Sequence, residues 1–203
     1  MVVSYYPRAC ELPQNAIPDG SAAILIPKGR KKIITSHRND NSRLKVLNFI
    51  KQTINSGSQV YVVYPLIEES EKKDHKDLMD GYESLKKYFP NTQIGVLHGR
   101  MKSENKDYEM RRFLEAKTKI LVSTTVVEVG VDVPNASVII IESAERFGLS
   151  QLHQLRGRVG RGSSKSYCIL VKRKIRDSGN VRLNIMEESD DGFYIADEDL
   201  KLR

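Results

Sequence analysis

The spacing of its apolar runs constrains this chain more than any other feature. From Lys31 onward the short runs KKIITS, QVYVVYPLI, TQIGVLH, KILVST, ASVIIIES and SYCILV follow one another, each bounded by polar residues. Runs this short and this rich in β-branched residues read as strands, and QVYVVYPLI is apolar enough to be covered on both faces. Between them lie segments of helical character. NSRLKVLNFIKQTINSG sets Leu44, Leu47, Ile50 and Ile54 at helical spacing between an Asn/Ser start and a Gly stop. A charged helix is expected from Lys72 to Tyr88, ahead of Pro90, and further helices in KSENKDYEMRRFLEAK and LSQLHQLRGRVG. Strands joined by connections long enough for a helix imply an α/β fold, a parallel β-sheet flanked by helices on both faces. Ligands of such sheets gather beyond the carboxyl ends of the strands. HGRM, STTVVEVGVD and an arginine-rich stretch each come after a strand, where that rule would place a site.

The two ends differ from this pattern. Residues 1–30 hold four prolines and two glycines without helical or strand period, and read as an irregular lead-in or truncated edge. The regular α/β unit is expected over 31–172. Residues 173–203 are polar and charged, with two short helix candidates around SDDGFY, and read as a helical hairpin packed on the main domain. No run approaches the length of a membrane span, and MVVSYYPRACELPQ has neither the basic start nor the apolar core of a secretory signal. Cys10 and Cys168 are the only cysteines, too few for a disulfide framework and without metal-ligand spacing, so a cytoplasmic setting and no metal site are expected. A net charge of +7 and a pI near 9.3 favour a polyanionic partner, though only weakly when taken alone.

The stretch ERFGLSQLHQLRGRVGRG, residues 145–162, carries the sharper signal. Gln154, Arg156, Gly157, Arg158, Gly160 and Arg161 form Q-x-R-G-R-x-G-R. On a continuous helix Gln154, Gly157, Arg158 and Arg161 would share neighbouring turns of one side. Two glycines inside a helix cost roughly 1 kcal/mol each relative to alanine, so they imply close backbone packing or a helix end left open for a ligand. Arginine suits a forked grip on phosphate oxygens and stays charged when partly buried. Residues 150–165 hold no acidic side chain to make the cluster a salt-bridged face, so it reads as a phosphate grip. In TTVVEVGVDV, Thr124 and Thr125 can offer hydroxyls to a phosphate, Gly130 allows close approach and Asp132 can accept from a sugar hydroxyl. A capping Thr pair and an ordinary turn explain that segment equally simply, and taken alone it reads that way. Nothing matches G-x-x-x-x-G-K-[ST], and no G-x-G-x-x-G follows a strand.

STTVVEVGVDVPNA followed by ERFGLSQLHQLRGRVGRG resembles motifs V and VI of superfamily 2 helicases, most closely the RecG type. QVYVVYPLIEESE resembles that family's motif IV region, GVLHGRM fits its pattern, and the tail RLNIMEESDDGFYIADEDLKLR resembles the segment bearing its translocation hairpin. The resemblance covers roughly residues 28–203. It implies a RecA-like helicase C-terminal domain related to P-loop NTPases, working on branched or forked double-stranded DNA with ATP and Mg2+. By the resemblance, Arg158 and Arg161 act as arginine fingers. Gly130, Asp132, Gln154 and Gly157 lie near the nucleotide. His98, Gly99, Arg100 and Met101, together with Thr124 and Thr125, face DNA, and Arg182 and Arg203 belong to the translocation hairpin. It also implies a preceding motor domain with Walker A and B, holding most of the ATP and Mg2+ contacts, and a wedge domain before it. The expected protein is monomeric, bacterial and nucleoid-associated, and this chain its second motor domain with the hairpin cut short. A transcription-repair coupling translocase, which shares the Q-L-R-G-R-V-G-R pattern, and a nucleic-acid-binding module with no motor partner are the alternative readings.

With no phosphate cradle in its sequence, the 203-residue chain alone should hydrolyse ATP negligibly. DNA-stimulated turnover by the purified chain checks this, and robust turnover would contradict it.

Overall fold

The computed structural model describes residues 32–66, 71–124, 133–162, 164–173 and 177–202. Among them, six strands form one sheet: β1 (Ile33–Asn39), β2 (Gln59–Tyr64), β3 (Ile94–Leu97), β4 (Ile120–Thr124), β5 (Ala136–Glu142) and β6 (Ser166–Lys172). Their order is β1-β6-β5-β2-β4-β3, and every pairing is parallel. The helices are α1 (Arg43–Asn55), α2 (Glu71–Tyr88), α3 (Ser103–Leu114), α4 (Leu149–Arg156), α5 (Asp177–Glu188) and α6 (Gly192–Lys201). The expected RecA-like α/β sheet with helices on both faces, followed by a helical hairpin, is the architecture found.

The period-2 alternation of strand side chains divides the core in two. Val60, Val62 and Tyr64 of β2 point to one face, with Ile120, Val122, Val138 and Ile140, and meet Val46 and Ile50 of α1 and Leu78 and Leu85 of α2. Tyr61 and Val63 point to the other, with Leu121, Ile139, Ile141, Cys168 and Leu170. There they meet Met110 and Phe113 of α3 and Leu149, Leu152 and Leu155 of α4. Leu183, Ile185 and Met186 of α5 and Ile195 of α6 belong to the same cluster, so the tail shares the main core.

Three local expectations change. In α1 the buried positions are Val46, Ile50 and Thr53, with Leu47 and Ile54 partly buried, while Leu44 is 68% exposed at the helix start. β2 ends at Tyr64 because Pro65 has no N–H to continue the ladder. α4 ends at Arg156 rather than running on to Gly160, for reasons that belong to the candidate site. The expected lead-in, residues 1–30, lies outside the described residues.

One close approach fixes how α2 lies on the sheet. Gly81, in the middle of α2, faces the buried ring of Tyr64, and a Cβ there would overlap the tyrosine hydroxyl. The helix accepts a poor helix former at that place because the ring from β2 fills the space of the absent side chain. Gly81→Ala should therefore destabilise the fold by about 1–3 kcal/mol, the usual range for an overpacked core. A urea denaturation midpoint unchanged or raised would contradict that contact.

Candidate functional site

The arginine stretch is built from α4 outward. Gly148 caps the helix start, its N–H bonded to the Gln151 side chain at 3.1 Å. Leu149, Leu152 and Leu155 bury one face of α4 against the sheet and leave Gln154 exposed on the other. After Arg156 the bonding tightens to three-residue steps, with Arg158 N donating to Leu155 O at 3.0 Å and Val159 N to Arg156 O at 3.3 Å. Gly160 then takes φ +82°, a left-handed conformation that glycine enters without steric cost. Gln154 thus sits on the helix, Gly157 at its C-cap, and Arg158 and Arg161 on a turn, not on one continuous helical side. Gly162 lets this turn press on the start of β5, since a Cβ there would run into the carbonyl oxygen of Pro134.

Arg158 is half-buried and Arg161 exposed, the latter donating from Nε to Gly157 O at 3.3 Å. The charges of both reach Tyr61 of β2 and pull its pKa down, but burial wins and pushes it up to about 12. Both arginines thus stand close enough for their charges to act on the Tyr61 hydroxyl. Their location departs from the carboxyl-edge rule. Eight residues of helix carry the chain about 12 Å back across the sheet, so the arginine turn arrives near the amino ends of β5 and β6. Q-x-R-G-R-x-G-R follows β5 in sequence but stands toward the opposite edge of the sheet.

His98 to Met101 and Thr124 do stand at the carboxyl edge. His98 to Met101 leave β3 in a turn closed by Met101 N donating to His98 O at 3.1 Å, with Gly99 and Arg100 exposed. His98 lies edge-on to His75 of α2, ring centroids 4.9 Å apart, and its buried Nδ1 has no hydrogen-bond partner among the described residues. Desolvation lowers its pKa, assisted by His75, Arg100 and Lys106. Thr124 ends β4, 2% exposed, its hydroxyl buried and without a partner among the described residues. Thr125, Gly130, Asp132 and Arg203 lie outside the described residues. Arg182, half-buried on α5, donates to Phe147 O at 3.0 Å and Glu145 O at 3.2 Å, and so holds the turn that enters α4.

Sequence reasoning missed one arginine role and left another open between local packing and DNA contact. Arg43 of α1 reaches Glu142, at the carboxyl end of β5, at 3.4 Å. Burial raises the pKa of Glu142 against the opposing pull of Arg43 and Arg173. The partners are 99 residues apart, and no local pattern announces them. Arg156, outside the shared pattern and open to local packing or DNA contact, is buried in packing against the tail, bonded to Met186, Ser189 and Asp190. Its acidic compensation thus comes from Asp190, in the bend after α5, rather than from its own neighbours. Among the described residues no group of three or more His, Cys, Asp or Glu side chains could hold a metal, and no helix is long and apolar enough to cross a membrane.

Comparison with known proteins fits this geometry. Residues 28–163 match the family described as the helicase conserved C-terminal domain. The ATP-dependent DNA helicase RecG of Synechocystis is 49% identical over all of this chain, which covers 24% of that protein. That of Streptococcus pneumoniae is 50% identical over all of this chain, covering 30% of it. The chain thus spans less than a third of the length of the curated relatives it matches. Among solved structures, RecG bound to a three-way DNA junction superposes with a TM-score of 0.75 at 45% identity, over 87% of this chain and 23% of that one. Domain 2 of the DEAD-box helicase Mss116p, at 18% identity and a TM-score of 0.61 over 83% of this chain and 68% of that one, shares the fold.

The depressed pKa of His98 has a consequence for stability. The folded chain resists protonating this ring, so its contribution is complete above the ordinary value of 6.5 and is lost as pH falls from there through the folded pKa. The urea midpoint should drop between pH 7.5 and pH 5, and His98→Asn should shrink that drop. An equal drop in both proteins would remove His98 as its source.

Proposed function

The chain belongs to the helicase conserved C-terminal domain family, and we propose that it is the second motor domain of an ATP-dependent DNA helicase of the RecG type that remodels branched or forked DNA. The observation that carries this is the 45% identity and 0.75 TM-score to RecG bound to a three-way DNA junction, over 87% of the chain. Within this reading residues 31–172 are the motor domain and 173–203 the start of the translocation hairpin. The protein is a bacterial, cytoplasmic monomer acting at the nucleoid.

The two edges of the sheet then serve two ligands. Arg158 and Arg161 meet the triphosphate of ATP held mainly by a preceding RecA-like domain, which also supplies the Mg2+ ligands. Gln154, Gly157, Gly130 and Asp132 line the nucleotide side. A guanidinium placed on a transferring phosphoryl group neutralises charge that develops in the transition state, an effect worth roughly 10³–10⁵ in rate in GTPases. The half-buried setting of Arg158 supports this use, because a charge partly removed from water acts more strongly on a phosphate than one fully solvated. At the carboxyl edge, His98 to Met101 and Thr124 with Thr125 contact the DNA backbone, and a preceding wedge domain splits the fork. Arg182 and Arg203 couple nucleotide turnover to movement of the duplex. The contacts of Arg182 with the turn before α4 support a mechanical rather than a DNA-gripping role.

Within the complete enzyme, Arg158→Ala should reduce ATP hydrolysis by about three orders of magnitude and leave forked-DNA affinity essentially unchanged. Steady-state ATPase and fluorescence anisotropy on forked DNA measure the two. Hydrolysis that survives the substitution removes Arg158 as a finger, and wild-type enzyme that cannot unwind forks removes the RecG-type reading.

A further inference from the structure

Gln59 opens β2 and is completely buried, an uncommon place for a side-chain amide. Its Nε2 donates to the carbonyl oxygens of Phe113 at 2.6 Å and Thr118 at 2.7 Å, and its Oε1 accepts from Asn135 Nδ2 at 3.1 Å. The two carbonyls only accept, so the orientation of the amide is forced. Asn135 Nδ2 also donates to Gly57 O at 3.0 Å, and Gln59 N donates to Asn135 O at 3.0 Å. Gln59 and Asn135 are thus joined twice, through side chains and through the main chain.

One side chain therefore ties the end of α3 and the approach to β4 to the turn that precedes β5. That turn, residues 133–136, is closed by Ala136 N donating to Val133 O at 3.0 Å, with Pro134 and Asn135 at its middle positions. β5 then departs from regular pairing with β2. Gln59 stands opposite Ala136 but Val60 opposite Val138, which leaves Ser137 as an extra residue. A bulge of this kind bends its strand and re-aims what lies beside it. Beside it here is the Pro134 carbonyl, the surface against which Gly162 presses, one residue after Arg161. A second path leads to the same place. Phe113, held at its carbonyl by Gln59, sets its ring 4.9 Å from that of Tyr61, on whose hydroxyl the charges of Arg158 and Arg161 act.

We propose that Gln59 is a positioning residue for the arginine turn: its amide fixes the Pro134–Asn135 turn against which Gly162 packs, and so fixes where Arg158 and Arg161 meet a phosphate. The proposal rests on the reading of those two arginines as fingers on the triphosphate. Gln59 is sealed inside the fold and acts only through them. An apolar side chain of the same size would fill its place but would leave the turn before β5 untied.

The test uses the full-length enzyme, with ATPase measured across an ATP titration at saturating forked DNA. Gln59→Met keeps the volume and removes the amide, while Asn135→Ala, at an exposed position, removes only the far end of the link. Each should lower kcat by roughly ten- to a hundredfold, the cost of a small misplacement of a reacting group, with KM for ATP and affinity for forked DNA essentially unchanged. If Gln59→Met fails to fold, Asn135→Ala decides. The same substitutions are then made in a protein already carrying Arg158→Ala and Arg161→Ala, and residual hydrolysis is followed in single turnover. There they should cost nothing further, because the groups they position are gone. Unchanged kcat in the folded variants, or a fall that persists undiminished without the two arginines, would overturn the proposal and leave Gln59 a purely structural residue. Hydrolysis that survives the loss of both arginines would instead overturn the finger reading beneath it.

Discussion

Everything in this fold follows from the demand that six strands run the same way. Each connection must leave at the carboxyl edge and re-enter at the amino edge, and the described crossover helices each lie on a face and bury it. The traverse sorts residues without regard to their order along the chain. Segments just after a strand, such as His98 to Met101, stay at one edge, while segments just before the next strand, such as Arg158 to Gly162, reach the other. Two groups of candidate site residues on opposite edges of one sheet are therefore a by-product of parallel topology.

Within six residues, the same side chain does two kinds of work. Arg156 is desolvated, its Nη1 bound to Met186, Ser189 and Asp190 and its Nη2 to His153. Arg158 and Arg161 follow on a turn that Gly160 bends left-handed, and their charges converge on Tyr61 instead. Burial decides between an arginine that holds the protein together and one whose charge faces outward. Gly157, at the end of α4, marks the boundary.

Much of the architecture was legible because it is written in local period. The β-branched runs became strands, and QVYVVY, read as covered on both faces, has Tyr61 in one core cluster and Tyr64 in the other. The arginine turn was legible in composition but not in position, because sequence order after β5 hides the eight-residue return of α4. Leu44 was misread because helical spacing specifies a stripe and not where the stripe ends at the helix start. Contacts between distant segments were not legible at all. Arg43 with Glu142 and Arg156 with Asp190 are pairings across the fold, and each partner alone looks like an ordinary charged residue. Gly81 belongs with them, since its role exists only once Tyr64 is opposite.

That last pairing bears on how force could pass through the domain. A ring from β2 seated in the gap left by a glycine works as a key in a keyway. Sliding α2 by one position would bring Asp80 or Tyr82 onto the ring, and neither leaves room for it. The contact therefore resists sliding of α2 along the sheet at that point. Load that reaches β2 at its carboxyl end is passed to α2 through Tyr64 rather than lost in slippage between the two.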